Sequence, residues 1–256
     1  MIGVRCLVSA TFLALSFQVL AAADKNSCVD CHQKTDFFAE YPKLHEYYHQ
    51  WLGSPHEQAG LTCEDCHGGR PNEASMKRAH KGVLPMSAKR SSLHATRQPD
   101  TCGECHRANK RQFVKSKHYQ ALMGERSAPT CTTCHPAMGR RPELRTIVLN
   151  ACRNCHAEGN AEGLPLIADH AEKAFNQLNI AGGLLGWTQM HFESHGWPKD
   201  SREQVAELER RYAEIVDQVH QFDLAQTETS AIELLGELRV IFREARREHE
   251  QRNEAS

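Results

Sequence analysis

The chain has 256 residues, with 31 Lys and Arg against 32 Asp and Glu, and the formal charge of −1 gives no ground for a nucleic-acid partner. Hydrophobic residues make up 40% of it and mean hydropathy is −0.59, so the chain reads as soluble, with aliphatic and aromatic side chains too sparse for one large core. The unusual counts are 11 Cys and 16 His, and their arrangement excludes most enzyme classes.

In chain order, residues 1–23 come first. Arg5 precedes an uncharged run of 18 residues, Cys6 to Ala23, that ends in Ala21, Ala22 and Ala23 before Asp24. This pattern predicts a cleaved secretory signal, with a retained membrane anchor as the rival reading because the run nears the length of a bilayer span. Cleavage would remove Cys6 and leave a periplasmic chain with no stable membrane span.

Residues 24–160 carry five copies of Cys-x-x-Cys-His: Cys28, Cys31 and His32; Cys63, Cys66 and His67; Cys102, Cys105 and His106; Cys131, Cys134 and His135; Cys152, Cys155 and His156. Each is a c-type haem attachment signature. Two cysteines at this spacing reach the two vinyl groups of one porphyrin as thioethers, and the next residue brings an imidazole beneath the iron. Disulfides do not require a His after every pair, zinc sites need four ligands per ion, and a thioredoxin-like centre needs one pair rather than five. The expected cofactors are therefore five covalently bound c-type haems, with His32, His67, His106, His135 and His156 as proximal ligands. The motif starts are separated by 35, 39, 29 and 21 residues, too uneven for a solenoid repeat. Porphyrins would supply much of the buried apolar volume of an irregular, loop-rich segment and would pack closely.

Residues 161–256 contain no cysteine and read as a helical segment packing on the haem domain. A helix from about Ile167 to His191 is interrupted in pattern by Gly182 and Gly183, which predicts a kink or a close approach to a haem. Ser201 and Gln204 resemble a capping box before Val205, Leu208, Tyr212, Ile215, Val216, Val219 and Phe222. Ser230 and Glu233 repeat that signal before Ile232, Leu235, Leu238, Ile241, Phe242 and Ala245. The fold class expected is mainly α, organised around five haems, with no strand supported anywhere. Residues 63–150 hold 16 Lys and Arg against 7 Asp and Glu, whereas 161–256 hold 10 against 18. Haem propionates would offset the first excess, and solvated helix faces account for the second.

Eleven histidines lie outside the motifs. Three follow a serine in a Ser-x-His element ahead of a motif: His56, His94 and His118. They are the first candidates for distal iron ligands, each to a haem other than its chain neighbour. His49, which shares a helix face with His45, and His80 are further candidates. His170, His191 and His195 could reach back from the helical segment, whereas His220 and His249 read as surface residues. Met76, Met86, Met123, Met138 and Met190 could supply thioethers, although packing suits them better.

The five motifs, the Ser-x-His elements, the Cys-His-Gly-Gly turn at His67 to Gly69 and the long helices after the last motif resemble the multihaem cytochrome c superfamily. That group includes small tetrahaem carriers, NapC/NirT quinol dehydrogenases, pentahaem nitrite reductase and octahaem hydroxylamine oxidoreductase. The resemblance covers most of the chain, with departures. The nitrite reductases are much longer and place Lys below their catalytic haem, whereas all five motifs here end in His. No cross-linking Tyr of the hydroxylamine oxidoreductase kind is evident.

The expected function is a periplasmic electron carrier that relays single electrons through closely packed bis-His haems, with no catalytic residues of its own. Its redox partners would be a quinol-oxidising membrane complex and a periplasmic reductase or oxidase, in anaerobic or nitrogen/sulfur respiration; homo-oligomers are compatible. The alternative is an oxidoreductase acting on a small nitrogen or sulfur compound at one five-coordinate haem.

Overall fold

The computed structural model describes residues 26–135, 144–147, 151–156, 166–198 and 201–254. The signal-like segment 1–23 and Met138 lie outside the described residues. Among those described, the structure is helical with no strand, and no helix is long and apolar enough to cross a membrane.

Twelve short helices come first: α1 (Ser27–His32), α2 (Thr35–Glu40), α3 (Pro42–Trp51), α4 (Pro55–Gln58), α5 (Cys63–His67), α6 (Met76–Ala79), α7 (Gln98–Gly103), α8 (Arg107–Phe113), α9 (Lys117–Met123), α10 (Cys131–Cys134), α11 (Leu144–Ile147) and α12 (Arg153–His156). Three long helices follow: α13 (Leu166–His195), α14 (Ser201–Gln218) and α15 (Leu224–Glu254). The two regions differ sharply in how they bury apolar surface. Among the described side chains between residues 26 and 135, the buried apolar ones are Trp51, Pro99, Phe113 and Leu122, which is too little for more than a hundred residues to hold together by side-chain packing.

The long helices have an extended core. In α13, Ala171, Leu178, Leu185 and Phe192 are buried at intervals of seven, and Ala174, Ala181 and Thr188 form a second such row. In α15 the row is Leu224, Ala231, Leu238 and Ala245, flanked by Leu234 and Leu235. A seven-residue apolar repeat keeps the seam facing its partner only if helices pack as in a coiled coil, and the alanines let the backbones come close. The two helices run parallel and in register. His170 near the start of one lies 3.9 Å from Glu228 near the start of the other, and His191 and His195 near the end of one meet His249 of the other. α14 returns between them and buries Val205, Leu208 and Ile215 against both.

Several local expectations are corrected. α13 is unbroken through Gly182 and Gly183. Gly182 instead makes room for a neighbour, since a Cβ there would sit 2.5 Å from Tyr212 Oη. α14 does open at Ser201, whose Oγ donates to the Pro198 carbonyl at 2.8 Å. Ser230 does not open a helix: α15 begins at Leu224, and Asp223 Oδ1 caps it by accepting from Gln226 N at 3.1 Å. Ile232 is 50% exposed, since it falls outside the seven-residue seam. Met76, Met86, Met123 and Met190 are exposed rather than packed in a core.

The bundle meets the motif region at one end. Gln221 Nε2 donates to Gln112 Oε1 at 2.7 Å, Asn109 Nδ2 donates to Asp217 Oδ1 at 3.1 Å, and Phe222 packs on Phe113 and His118. Phe222 takes a left-handed conformation (φ 61°) that ends the 3₁₀ turn Val219–Gln221 and turns the chain into α15.

Candidate cofactor-binding site

Each Cys-x-x-Cys-His motif is wound into a short helical turn, which puts residues i, i+3 and i+4 on one side. The turns are nucleated by local hydrogen bonds. Asn26 Oδ1 accepts from Cys28 N at 3.0 Å ahead of the first motif. Asp65 Oδ2 accepts from Thr62 N at 2.7 Å in the second, and Thr133 Oγ1 accepts from Thr130 N at 3.0 Å in the fourth. Each bond satisfies a backbone donor that one turn of helix would leave unpaired.

Four of the five motif histidines face a second imidazole from elsewhere in the chain. Ring-centre separations are 6.2 Å for His32 and His80, 6.1 Å for His56 and His106, 6.0 Å for His118 and His156, and 6.1 Å for His135 and His220. Imidazole nitrogen binds a first-row metal at about 2.0–2.1 Å, which sets two rings on opposite sides of one ion about 6.3 Å apart. The four spacings fit that requirement.

Local sequence explains how three of these partners arrive. Ser54 and Ser116 are buried N-caps whose Oγ atoms accept from Glu57 N at 3.2 Å and Tyr119 N at 3.0 Å, so the Ser-x-His element is a capped first turn with the His at its second position. His80 is delivered by the glycine turn after the second motif. Gly68 (φ 70°) and Gly69 (φ 103°) reverse the chain, Arg70 N donates to Ala79 O at 2.8 Å, and Ser27 N donates to Pro71 O at 2.7 Å. A Cβ at Gly69 would sit 2.9 Å from that Ala79 oxygen, so glycine is required there for space as well as for φ.

Ring tautomers suit ligation. His80 Nδ1 lies 2.8 Å from Met76 O and His220 Nδ1 lies 3.1 Å from Asp217 O. A carbonyl only accepts, so each Nδ1 carries the proton and each Nε2 keeps its lone pair. Burial lowers the pKa of His32, His67 and His118, which favours the neutral, ligating form. The Nδ1 atoms of His118 and His156 are buried without a hydrogen-bond partner. Such an atom costs about 1–3 kcal/mol, so these two rings suit a bonded group beside them.

The thiols behave unlike redox or zinc cysteines. Burial raises Cys28, Cys66 and Cys152 and pushes Cys63 and Cys134 up to about 11. Thiol exchange and thiolate coordination call for the opposite shift. The Cys102 thiol donates to Cys131, raising the first and lowering the second. Electrostatic neighbours also link Cys63 to Cys28, Cys66 to Cys102, and Cys134 to Cys152. Successive motifs are thus adjacent in space in chain order.

The remaining histidines are placed differently. His94 faces no motif histidine at the same spacing, and its Nδ1 lies 2.9 Å from Thr96 Oγ1. Its segment is nevertheless tied to the second motif, since Ser92 Oγ donates to Cys66 O at 2.5 Å. His49 pairs with His45 on an exposed face, Nε2 to Nε2 3.2 Å, and His170 sits by Glu228. His191 and His195 gather with His249 at the far end of the bundle. None of these opposes a motif imidazole. His220, read from sequence as a surface residue, is half-buried against His135. No sequence signal marks it, because it lies 85 residues beyond its partner on a polar-faced helix end. No family model, curated protein or solved structure matches this chain.

Proposed function

We propose that this chain is a pentahaem c-type cytochrome that relays single electrons between redox partners in the periplasm. One observation carries the reading: four of the five Cys-x-x-Cys-His histidines face a second imidazole at 6.0–6.2 Å, the spacing for two axial ligands of one iron. The haems would supply one-electron chemistry. The protein would hold them by the ten motif cysteines and by the pairs His32/His80, His106/His56, His156/His118 and His135/His220. For the haem of the second motif, held by His67, His94 would be the sixth ligand only after its ring turns toward that motif, to which the bond from Ser92 to Cys66 ties its segment.

Two imidazoles on every iron keep the coordination unchanged between oxidation states, which suits transfer between partners rather than substrate binding. Adjacency of consecutive motifs, seen in the electrostatic neighbours Cys28/Cys63, Cys66/Cys102, Cys102/Cys131 and Cys134/Cys152, would set the attachment edges of neighbouring haems together and make one continuous path. The scarcity of buried side chains between residues 26 and 135 agrees with porphyrins forming that interior.

Haem quantitation and electron paramagnetic resonance of the ferric holoprotein, with and without nitrite or hydroxylamine, test this. Five haems per chain, all low-spin and indifferent to the additions, are expected. Fewer than five haems would overturn the cofactor assignment. A high-spin haem that shifts on adding ligand would replace the carrier reading with catalysis at a five-coordinate iron.

A further inference from the structure

The far end of the helical bundle holds a second constellation of histidines that the motif pairs do not use. His191 and His195 stand four apart on α13 and present to the same side, and His249 comes from α15. Their rings lie 4.5, 5.4 and 4.6 Å apart, centre to centre. One nitrogen from each lies within 4.8 Å of the other two. Three points so spaced share a centre no more than about 2.8 Å from each, against the roughly 2.0–2.1 Å of a zinc–imidazole bond, so side-chain rotation of under about 1 Å closes the site.

Other contacts prepare the cluster. His195 Nδ1 lies 3.0 Å from the His191 carbonyl, which places the proton on Nδ1 and turns Nε2 into the donor of a lone pair. Trp187 stacks on His191 at 4.8 Å and 10°, and Phe242 packs on Trp187, which fixes the ring from its other face. The three imidazoles open onto a cleft of about 340 Å³ whose other walls are Trp187, Phe242 and Arg246. The Arg246 charge is compensated by Glu250 at 2.8 Å. Glu172, beside Arg153 of the fifth motif at 2.8 Å, lies nineteen residues before His191, so the cluster is about 28 Å along α13 from the nearest motif.

We infer that His191, His195 and His249 form a binding site for a divalent transition metal, Zn²⁺ in the first instance, with its fourth coordination position open to the cleft. Among the described residues the ligand set is three imidazoles, which select borderline ions over Mg²⁺ and Ca²⁺, and three protein ligands plus one open position is the arrangement of a zinc site that admits water or a small ligand. By clamping the ends of two parallel helices, the ion would also hold the last turns of α13 and α15 together. This site is independent of the haem assignment, since it takes no ligand from the motif pairs.

The test is equilibrium dialysis of the ferric holoprotein against Zn²⁺, with elemental analysis of zinc and iron. One zinc per chain is expected, not displaced by excess Mg²⁺ or Ca²⁺. His195→Ala and His249→Asn should each weaken binding at least about tenfold while helicity and the haem spectrum stay as in the parent. The double variant His45→Ala/His49→Ala removes the exposed pair on α3 and should keep the full zinc content. The inference is overturned if the parent takes up no zinc saturably or if zinc is lost only from the α3 double variant. It is equally overturned if His195→Ala or His249→Asn converts a haem to high spin, which would make the residue an axial ligand.

Discussion

His220 is the one proposed ligand that only the tertiary structure brings forward, so its replacement probes the proposed coordination most directly. In His220→Ala the His135 imidazole loses the ring 6.1 Å away. The surrounding contacts survive: Asn109 still donates to Asp217 at 3.1 Å, and Gln221 to Gln112 at 2.7 Å. The hydrogen bonds lost are those of His220 Nδ1 with the Asp217 carbonyl at 3.1 Å and with Asn109 Nδ2 at 3.4 Å, each worth about 0.5–1.5 kcal/mol, so the fold should persist. The haem of the fourth motif alone should change state, converting one further haem in five from low to high spin relative to the parent. Spin quantitation by electron paramagnetic resonance on the ferric holoprotein, with helicity as a folding check, measures it. His170→Ala, beside Glu228 rather than a motif, serves as the control and should change nothing. If His220→Ala keeps the parent spectrum, the facing of rings does not report axial ligation and the other three pairs lose their support as well.

Further expectations come from the packing. Gly182→Ala should destabilise the bundle, because the added methyl meets Tyr212 Oη at 2.5 Å. Gly183→Ala, with nothing within 4 Å, should stabilise it by about 0.5–1 kcal/mol through helix propensity; denaturant titration of the pair separates the two effects. Leu238→Ala removes a fully buried side chain from the seam of α15 and should cost about 2–5 kcal/mol by the same assay. Loss of the Ser116 cap in Ser116→Ala should cost about 1 kcal/mol and raise the high-spin fraction from the fifth motif, since that cap orients His118. Burial lowers His32, His67 and His118 from the ordinary value of 6.5. A pKa lowered on folding contributes stability that is complete above 6.5 and is lost as pH falls through the depressed values.

The proposed attachment chemistry is legible in the sequence because it is local. Two thiols and an imidazole within five residues need only one helical turn to act together, so the ten cysteines and five motif histidines are legible without any fold. His56 and His118 are nearly as legible, since a buried serine cap positions each within three residues. The helical character of residues 161–256 is legible too, from apolar periodicity. The start of α14 at Ser201 is legible as well, whereas the start of α15 was misplaced at Ser230 because a serine hydroxyl can sit within a helix as readily as it can cap one.

What tertiary structure alone decided is which distant histidines meet. His220 reaches His135 because Phe222 turns the chain against α8, and His249 joins His191 and His195 because α13 and α15 run parallel with their ends in register. Neither meeting leaves a periodic or spaced pattern in the chain. Both depend on the crossing of helices dozens of residues apart, and that is set by the seven-residue packing of alanine and leucine along the seam, not by the histidines it brings together.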